Sequence, residues 1–291
     1  MELVKPGINI NFVGMLKYAV IFSTVLTIIC VVSLLWKGFN FGIDFAGGTL
    51  VQIKFKKETS ADSIRQVLTG MGIMDSVIQP FGTNEVVVRT AESTSDLKGL
   101  GAKIEEAMNK AFGNGTLEVQ RVEVVGPKVG KDLTKKAILA VIFSWIGMLI
   151  YIAFRFEFRY AVGGIVGVIH DVIVVLGIFS IFQLEFTLTV VAALLTVIGY
   201  SIHDSIVVFD RVRENVRKDV KKDLAVLVNE SINQTLSRTI LTSFTTALVA
   251  AVLFIFGGAV IRDFALTLLV GIIFGTYSSV AIASPVVLAW E

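Results

Sequence analysis

Charge is scarce in this chain. Of its 291 residues only 17% are charged, against roughly 25% in an ordinary soluble domain, while 54% are hydrophobic. Cysteine occurs once, at Cys30, which excludes a disulfide framework within the chain and any cysteine-based metal site. Inside its apolar run Cys30 reads as a small helix residue. The formal net charge of +2 is too small to argue for nucleic acid, and no basic, aromatic-interleaved patch is present.

The few charges are unevenly placed. They gather between residues 37 and 136 and between 210 and 238, leaving long stretches almost bare. A bilayer demands such clustering, because a charged side chain at mid-membrane costs at least ~2.5–3.5 kcal/mol on insertion scales. A crossing needs ~20 mostly apolar residues, and six runs qualify: 18–36, 137–154, 161–182, 187–209, 239–256 and 264–288. The first follows Lys5 and Lys17, but it outruns a signal-peptide core and no small-residue cleavage site follows Trp36-Lys37, so it reads as an uncleaved anchor. Pro285 falls near the end of the last run, where a helix can end or kink.

Lysine and arginine in the short loops set the expected orientation. Arg155 and Arg159 flank the second and third runs, and Arg211, Arg213, Arg217, Lys218, Lys221 and Lys222 follow the fourth. The segments 183–186 and 257–263 hold between them one basic residue, Arg262. Both termini and the two basic loops are therefore expected in the cytoplasm, and the segment after the first run in the periplasm of a bacterium. The stretch 210–238 alternates charge with Leu224, Val228 and Ile232, which predicts an amphipathic segment lying on the cytoplasmic surface.

The chain accordingly divides into an N-terminus and first span (1–36), a water-facing domain (37–132) and the remaining five spans (133–291). In the middle part, residues 50–55 alternate as a strand does. Ser60 and Asp62 open a helix over 63–71 that ends at Gly72. Residues 76–79 and 85–89 read as strands around a turn at 81–84. A second helix over 95–112 stops at Gly113-Asn-Gly115, and 117–125 supplies a last strand. The order βαββαβ predicts a ferredoxin-like α+β domain attached to an α-helical polytopic membrane protein. Gly126-Pro-Lys-Val-Gly130-Lys131 is no phosphate loop: its glycines are four apart rather than five, and Asp132 stands where Ser or Thr belongs.

Some ionisable residues fall inside the spans. His170 and Asp171 lie in the middle of the third, His203 and Asp204 near the cytoplasmic end of the fourth, and Arg238 at the start of the fifth. Such groups must be paired or hydrated to persist, so each is a functional hypothesis. The structural alternative is that a bundle rich in Ser, Thr and Gly satisfies them simply to hold its helices together. If spans four and five are antiparallel, Arg238 comes within about one helical turn of the depth of Asp204. Burial favours the neutral acid and a nearby cation favours the carboxylate, so movement of the arginine would couple proton passage to a change of shape. Adjacent helix residues point about 100° apart, so His203 and Asp204 cannot both face one partner; His203, like His170 and Asp171, is an accessory relay position. No residue is expected to act catalytically or to hold a metal or cofactor.

Several stretches together resemble the SecD/SecF family of bacterial protein-export subunits, and within it the SecF branch. They are Gly42-Ile-Asp-Phe-Ala-Gly-Gly-Thr49 after the first span, Val125-Gly-Pro-Lys-Val-Gly130 before the second, Phe154-Arg-Phe-Glu-Phe-Arg159, Val197-Ile-Gly-Tyr-Ser-Ile202, Asp204-Ser-Ile-Val-Val-Phe-Asp-Arg-Val-Arg-Glu-Asn215 and Ser237-Arg-Thr-Ile-Leu-Thr-Ser243. The match covers nearly the whole chain, in order. The resemblance implies a heteromer with SecD, association with the SecY/SecE/SecG channel and with YajC, and contact with translocating preprotein. It also implies proton-motive force driving the periplasmic domain, with Asp204 and Arg238 at the positions of the family's proton pathway. One departure matters: His203 stands where the family usually has Asn, which leaves the acid in place and is expected to move the pH range of coupling. Two other readings compete, a self-contained proton-coupled exporter of small molecules or lipids and a passive scaffold for the channel. Six spans and one small domain argue against the first, since such exporters need both halves of a twelve-span unit.

Overall fold

The computed structural model describes residues 9–57, 59–73, 76–81, 84–90 and 97–290. Lys5, the turn residues Gly82 and Thr83, the expected helix start at Ser95 and the terminal Glu291 lie outside the described residues. The longer elements, in chain order, are α1 (Phe12–Trp36), β1 (Gly48–Phe55), α2 (Ala61–Gly70), β2 (Ser76–Phe81), β3 (Glu85–Thr90), α3 (Leu97–Phe112), β4 (Leu117–Val125), α4 (Pro127–Arg155), α5 (Phe158–Phe182), α6 (Leu188–Lys218), α7 (Leu224–Phe256), α8 (Gly258–Ser278) and α9 (Ser284–Ala289). Chain contacts divide them into two compact units, one of residues 1–40 and 139–291, the other of residues 41–138.

The smaller unit is a four-stranded antiparallel sheet in the order β2-β3-β1-β4. With a helix after β1 and another after β3, that is the split βαβ arrangement. The strand over 50–55 puts Val51, Ile53 and Phe55 on one face, where they pack with Ile64 and Leu68 of α2 and Ile104 and Met108 of α3. All seven are almost wholly buried, so the period of two in the strand and the 3–4 spacing in the helices meet in one core. Ser60 caps α2, its side chain accepting a hydrogen bond from the Ser63 N–H at 3.2 Å, as an N-cap serine does. A register shift between Gln52 and Ile53 in the β1–β4 pairing marks a bulge.

The larger unit is helical. Among the described residues six stretches are long and apolar enough to cross a membrane: α1, α4, α5, α6, α7 and Ile261–Ala289. Among them α5 and α6 form the inside, with Tyr160, Phe179, Ile198 and Phe209 nearly inaccessible. Glycines set how closely the helices approach. A Cβ on Gly271 of α8 would stand 2.2 Å from a methyl of Val197, and one on Gly275 would stand 3.0 Å from Ser201 Cβ. The pair is a small-xxx-small interface that brings α8 onto α6 at close range.

The last span is interrupted. Ser279–Ala283 form a π turn between α8 and α9. The cause is Pro285, which has no N–H to donate and whose ring would collide with the carbonyl four residues back, that of Ala281. A wider turn just before it relieves both.

One expectation is corrected. The expected amphipathic segment over residues 210–238 is not a single element. Its residues continue α6 to Lys218 and begin α7 at Leu224. Leu224, Val228 and Ile232 are buried in the same cluster as Val208, Phe209 and Val212. The 3–4 spacing that suggested a membrane-facing stripe instead faces the neighbouring helix, which offers an equally apolar partner.

Candidate functional site

Asp204 sits on α6 with 2% of its side chain exposed. Its Oδ2 accepts hydrogen bonds from Ser243 Oγ of α7 and Thr276 Oγ1 of α8, each at 3.1 Å. The two hydroxyls also meet each other at 2.7 Å. Three helices thus converge on one carboxylate, α7 and α8 each through a hydroxyl. The Nδ1 of His203 lies 3.8 Å from Oδ1, on a ring that is 57% exposed, so His203 points outward beside the acid as the 100° step between neighbours requires.

The structure does not bring Arg238 to Asp204. Arg238 is exposed, and among the described residues it makes no ion pair with that acid. The reason is angular. The α7 residue facing Asp204 is Ser243, five positions on from Arg238. That interval places the arginine about 7.5 Å away along the helix and about 140° around it. Depth alone suggested a pairing that the azimuth of the helix does not allow in this arrangement.

A second buried acid lies on α5. Asp171 has 0% and His170 6% of the side chain exposed, with Nδ1 3.0 Å from Oδ1. Asp171 Oδ2 accepts from Ser201 Oγ of α6 at 2.6 Å and from Ser278 Oγ of α8 at 2.7 Å. Ser201 and Asp204 are three apart on α6, and Thr276 and Ser278 two apart on α8, so one turn of α6 carries Asp204 and a donor to Asp171, and one turn of α8 carries a donor to each acid. The close α6–α8 approach at Gly271 and Gly275 permits this.

Sequence reasoning found the acids and missed their partners Ser201, Ser243, Thr276 and Ser278. Hydroxyls spaced along otherwise apolar spans were the available signal. Among the described residues no three His, Cys, Asp or Glu side chains converge as metal ligands would.

These features define a polytopic membrane protein, a six-span bundle with buried acids and one ferredoxin-like domain. The family model for the C-terminal part of the protein export membrane proteins SecD and SecF matches residues 104–291, and the SecD/SecF GG motif matches residues 32–59. The protein translocase subunit SecF of Magnetococcus marinus is 46% identical over all of this chain and 95% of its own length. That of Pseudomonas aeruginosa is 43% identical over 99% of this chain and 92% of its own. The crystal structure of SecDF, a translocon-associated membrane protein from Thermus thermophilus, superposes with a TM-score of 0.89 at 38% identity. A SecDF structure in a super-membrane-facing form gives 0.73 at 39% identity. This chain is covered completely in both, yet spans only 39% of the length of either SecDF chain. The chain belongs to the SecD/SecF family of protein-export membrane proteins.

Proposed function

We propose that this chain is a non-catalytic translocase subunit that works with SecD, using the proton-motive force to help draw preprotein outward from the SecY/SecE/SecG channel and its associate YajC. It lies in the cytoplasmic membrane with both termini inside, the orientation that the basic loops favour, and its α+β domain faces the periplasm as the moving part. Asp204 is the group that takes up and releases the proton. The observation that carries this reading is the burial of that carboxylate among hydroxyls in an apolar span, with no lysine or arginine paired to it among the described residues. An isolated ionised carboxylate is costly there, and a neutral acid is not.

Arg238 supplies the second state. A rotation of α7 that carried the guanidinium toward Asp204 would favour the carboxylate, and its retreat would favour proton uptake. The hydroxyls of Ser243 and Thr276 hold the acid in place through either state, because each both donates and accepts. His203, exposed beside the acid, is an accessory station on the entry side.

The test is Asp204→Asn, which keeps the shape and removes the titrating group. The chain is reconstituted in vesicles with SecD and the channel, and preprotein export is followed with and without a proton gradient. Loss of the gradient-dependent part is expected. Export undiminished by the substitution would leave the chain a passive scaffold.

A further inference from the structure

Asp171 takes no part in the switch between Asp204 and Arg238, yet among the described residues no carboxylate is more enclosed. Backbone N–H groups or an arginine only donate, and so serve the ionised acid alone. The groups on Asp171 are of another kind. All three, Ser201, Ser278 and His170, can both donate and accept a hydrogen bond.

Ser278 can serve either form of the acid. Its Oγ lies 2.7 Å from Asp171 Oδ2 and 3.1 Å from the carbonyl oxygen of Gly275. A hydroxyl has one proton to donate. With Asp171 ionised, Ser278 donates to it. With Asp171 protonated on Oδ2, Ser278 turns to Gly275 and accepts from the acid. Neither state needs the backbone to move. The same device stands at Asp204, where Thr276 Oγ1 lies 3.1 Å from Oδ2 and 2.9 Å from the carbonyl oxygen of Ile272.

His170 adds a second observation. Its ring is buried and its Nε2 has no hydrogen-bond partner among the described residues. With Nδ1 engaged on Asp171, the other nitrogen is a bare polar atom in an apolar span, a costly condition.

The surroundings isolate this group. Helix α5 packs against α1, α6, α8, the π turn and α9. On α1, Cys30 lies against Gly177, about 9 Å further along α5. Tyr18 is 75% exposed, and Lys17 is six residues before Ser23, which meets Tyr277. On α6, Tyr200 bonds Thr246, His203 is exposed, and Asp210, Arg211, Arg213, Glu214, Arg217 and Lys218 lie about 13 Å or more past Ser201. On α8, Tyr277 donates to the Ala19 carbonyl, while Arg262 and Asp263 are about 22 Å or more away along the helix. The π turn and α9 carry no ionisable side chain. Asp204, on the same turn of α6 as Ser201, is the neighbouring acid, and Tyr277, with its ring centroid 6.4 Å from that of His170, is the neighbouring phenol.

We infer that Asp171, with His170, Ser201 and Ser278, is a second proton-binding site of the bundle, and that its occupancy is coupled to that of Asp204 through the turn of α8 carrying Thr276 and Ser278. The step is a proton transfer from water alone: hydronium gives its proton to Asp171 Oδ2 and leaves as water, and the Ser278 O–H turns from Asp171 to the Gly275 carbonyl. The coupling rests on the reading of Asp204 as a proton site; the binding at Asp171 does not. Linkage is reciprocal, so emptying either site changes the other by the same factor.

The experiment is an infrared titration of the full chain in lipid nanodiscs, with aspartate isotopically labelled, from about pH 4 to about pH 10. Two titrating bands of buried protonated carboxyl groups are expected. Asp204→Asn removes one and shifts the midpoint of the other; Asp171→Asn removes the other. Ser278→Ala shifts the Asp171 midpoint and leaves the amplitude of both bands. If Asp171→Asn removes no titrating band, or if the band answers to sodium ions and not to pH, the inference is overturned. Should Asp171→Asn fail to assemble, Ser278→Ala decides: an unmoved midpoint overturns it. A missing Asp171 band beside a titrating Asp204 leaves the export reading standing, while a titrating Asp171 beside an Asp204 that never titrates does the reverse.

Discussion

Placing a single methyl group on Gly271 tests whether the close α6–α8 approach creates the site. In Gly271→Ala the new Cβ would lie 2.2 and 2.4 Å from the two methyls of Val197 and 2.9 Å from its Cβ. Carbon atoms pack best at roughly 3.5–4.0 Å, so the shortfall is about 1.3 Å. Val197 cannot swing clear, because a β-branched side chain in a helix has essentially one rotamer. The helices must therefore part, and overpacking of this kind costs ~1–3 kcal/mol. Parting by even half the shortfall stretches the 3.1 Å Thr276–Asp204 bond beyond hydrogen-bond range of about 3.5 Å. Chemical unfolding of the purified chain in detergent is expected to show that loss. Adding Val197→Ala removes the two closest atoms and should recover most of it. If Gly271→Ala is as stable as the parent, or the double variant is no better than the single one, the seam is not what holds Thr276 and Ser278 against the acids.

Two further expectations concern packing. Ile104→Ala in the α+β unit deletes a side chain with 0% exposure from a core shared by α2, α3 and β1; a loss of ~2–5 kcal/mol is expected, visible as a lowered thermal midpoint by circular dichroism. Tyr277→Phe removes the hydroxyl that meets the Ala19 carbonyl and Ser23 Oγ, both at 2.9 Å. A cost of ~1–3 kcal/mol and faster amide exchange in α1 should result, and unchanged exchange would show that α1 is held by packing alone.

The six spans were readable because a bilayer imposes one length and one composition, and the βαββαβ order because period-2 and period-3.6 patterns alternate cleanly between residues 50 and 125. The acids were readable too, since an aspartate in an apolar run is conspicuous. Their partners were not. Ser201, Ser243, Thr276 and Ser278 are ordinary span residues until the helices are docked, and only the glycines at 271 and 275 hint at which seam will be tight. The Arg238 pairing failed because depth along a helix is legible in sequence while the direction of its neighbour is not. The 210–238 segment failed similarly: an apolar stripe tells that something covers it, and here a helix does so in place of lipid headgroups.

The π turn at Ser279–Ala283 also fixes a phase. It contains one more residue per turn than the helices on either side, so α9 is set off from α8 by a whole residue. Removing one residue there would force the Pro285 ring against the carbonyl four residues back and at the same time turn everything beyond it by about 100°. Val287, 1% exposed and seated at Gly163 of α5, would then face elsewhere. The extra residue is thus part of the register by which the end of the last span finds its place on α5, and a sequence shortened by one at that point would lose its fit.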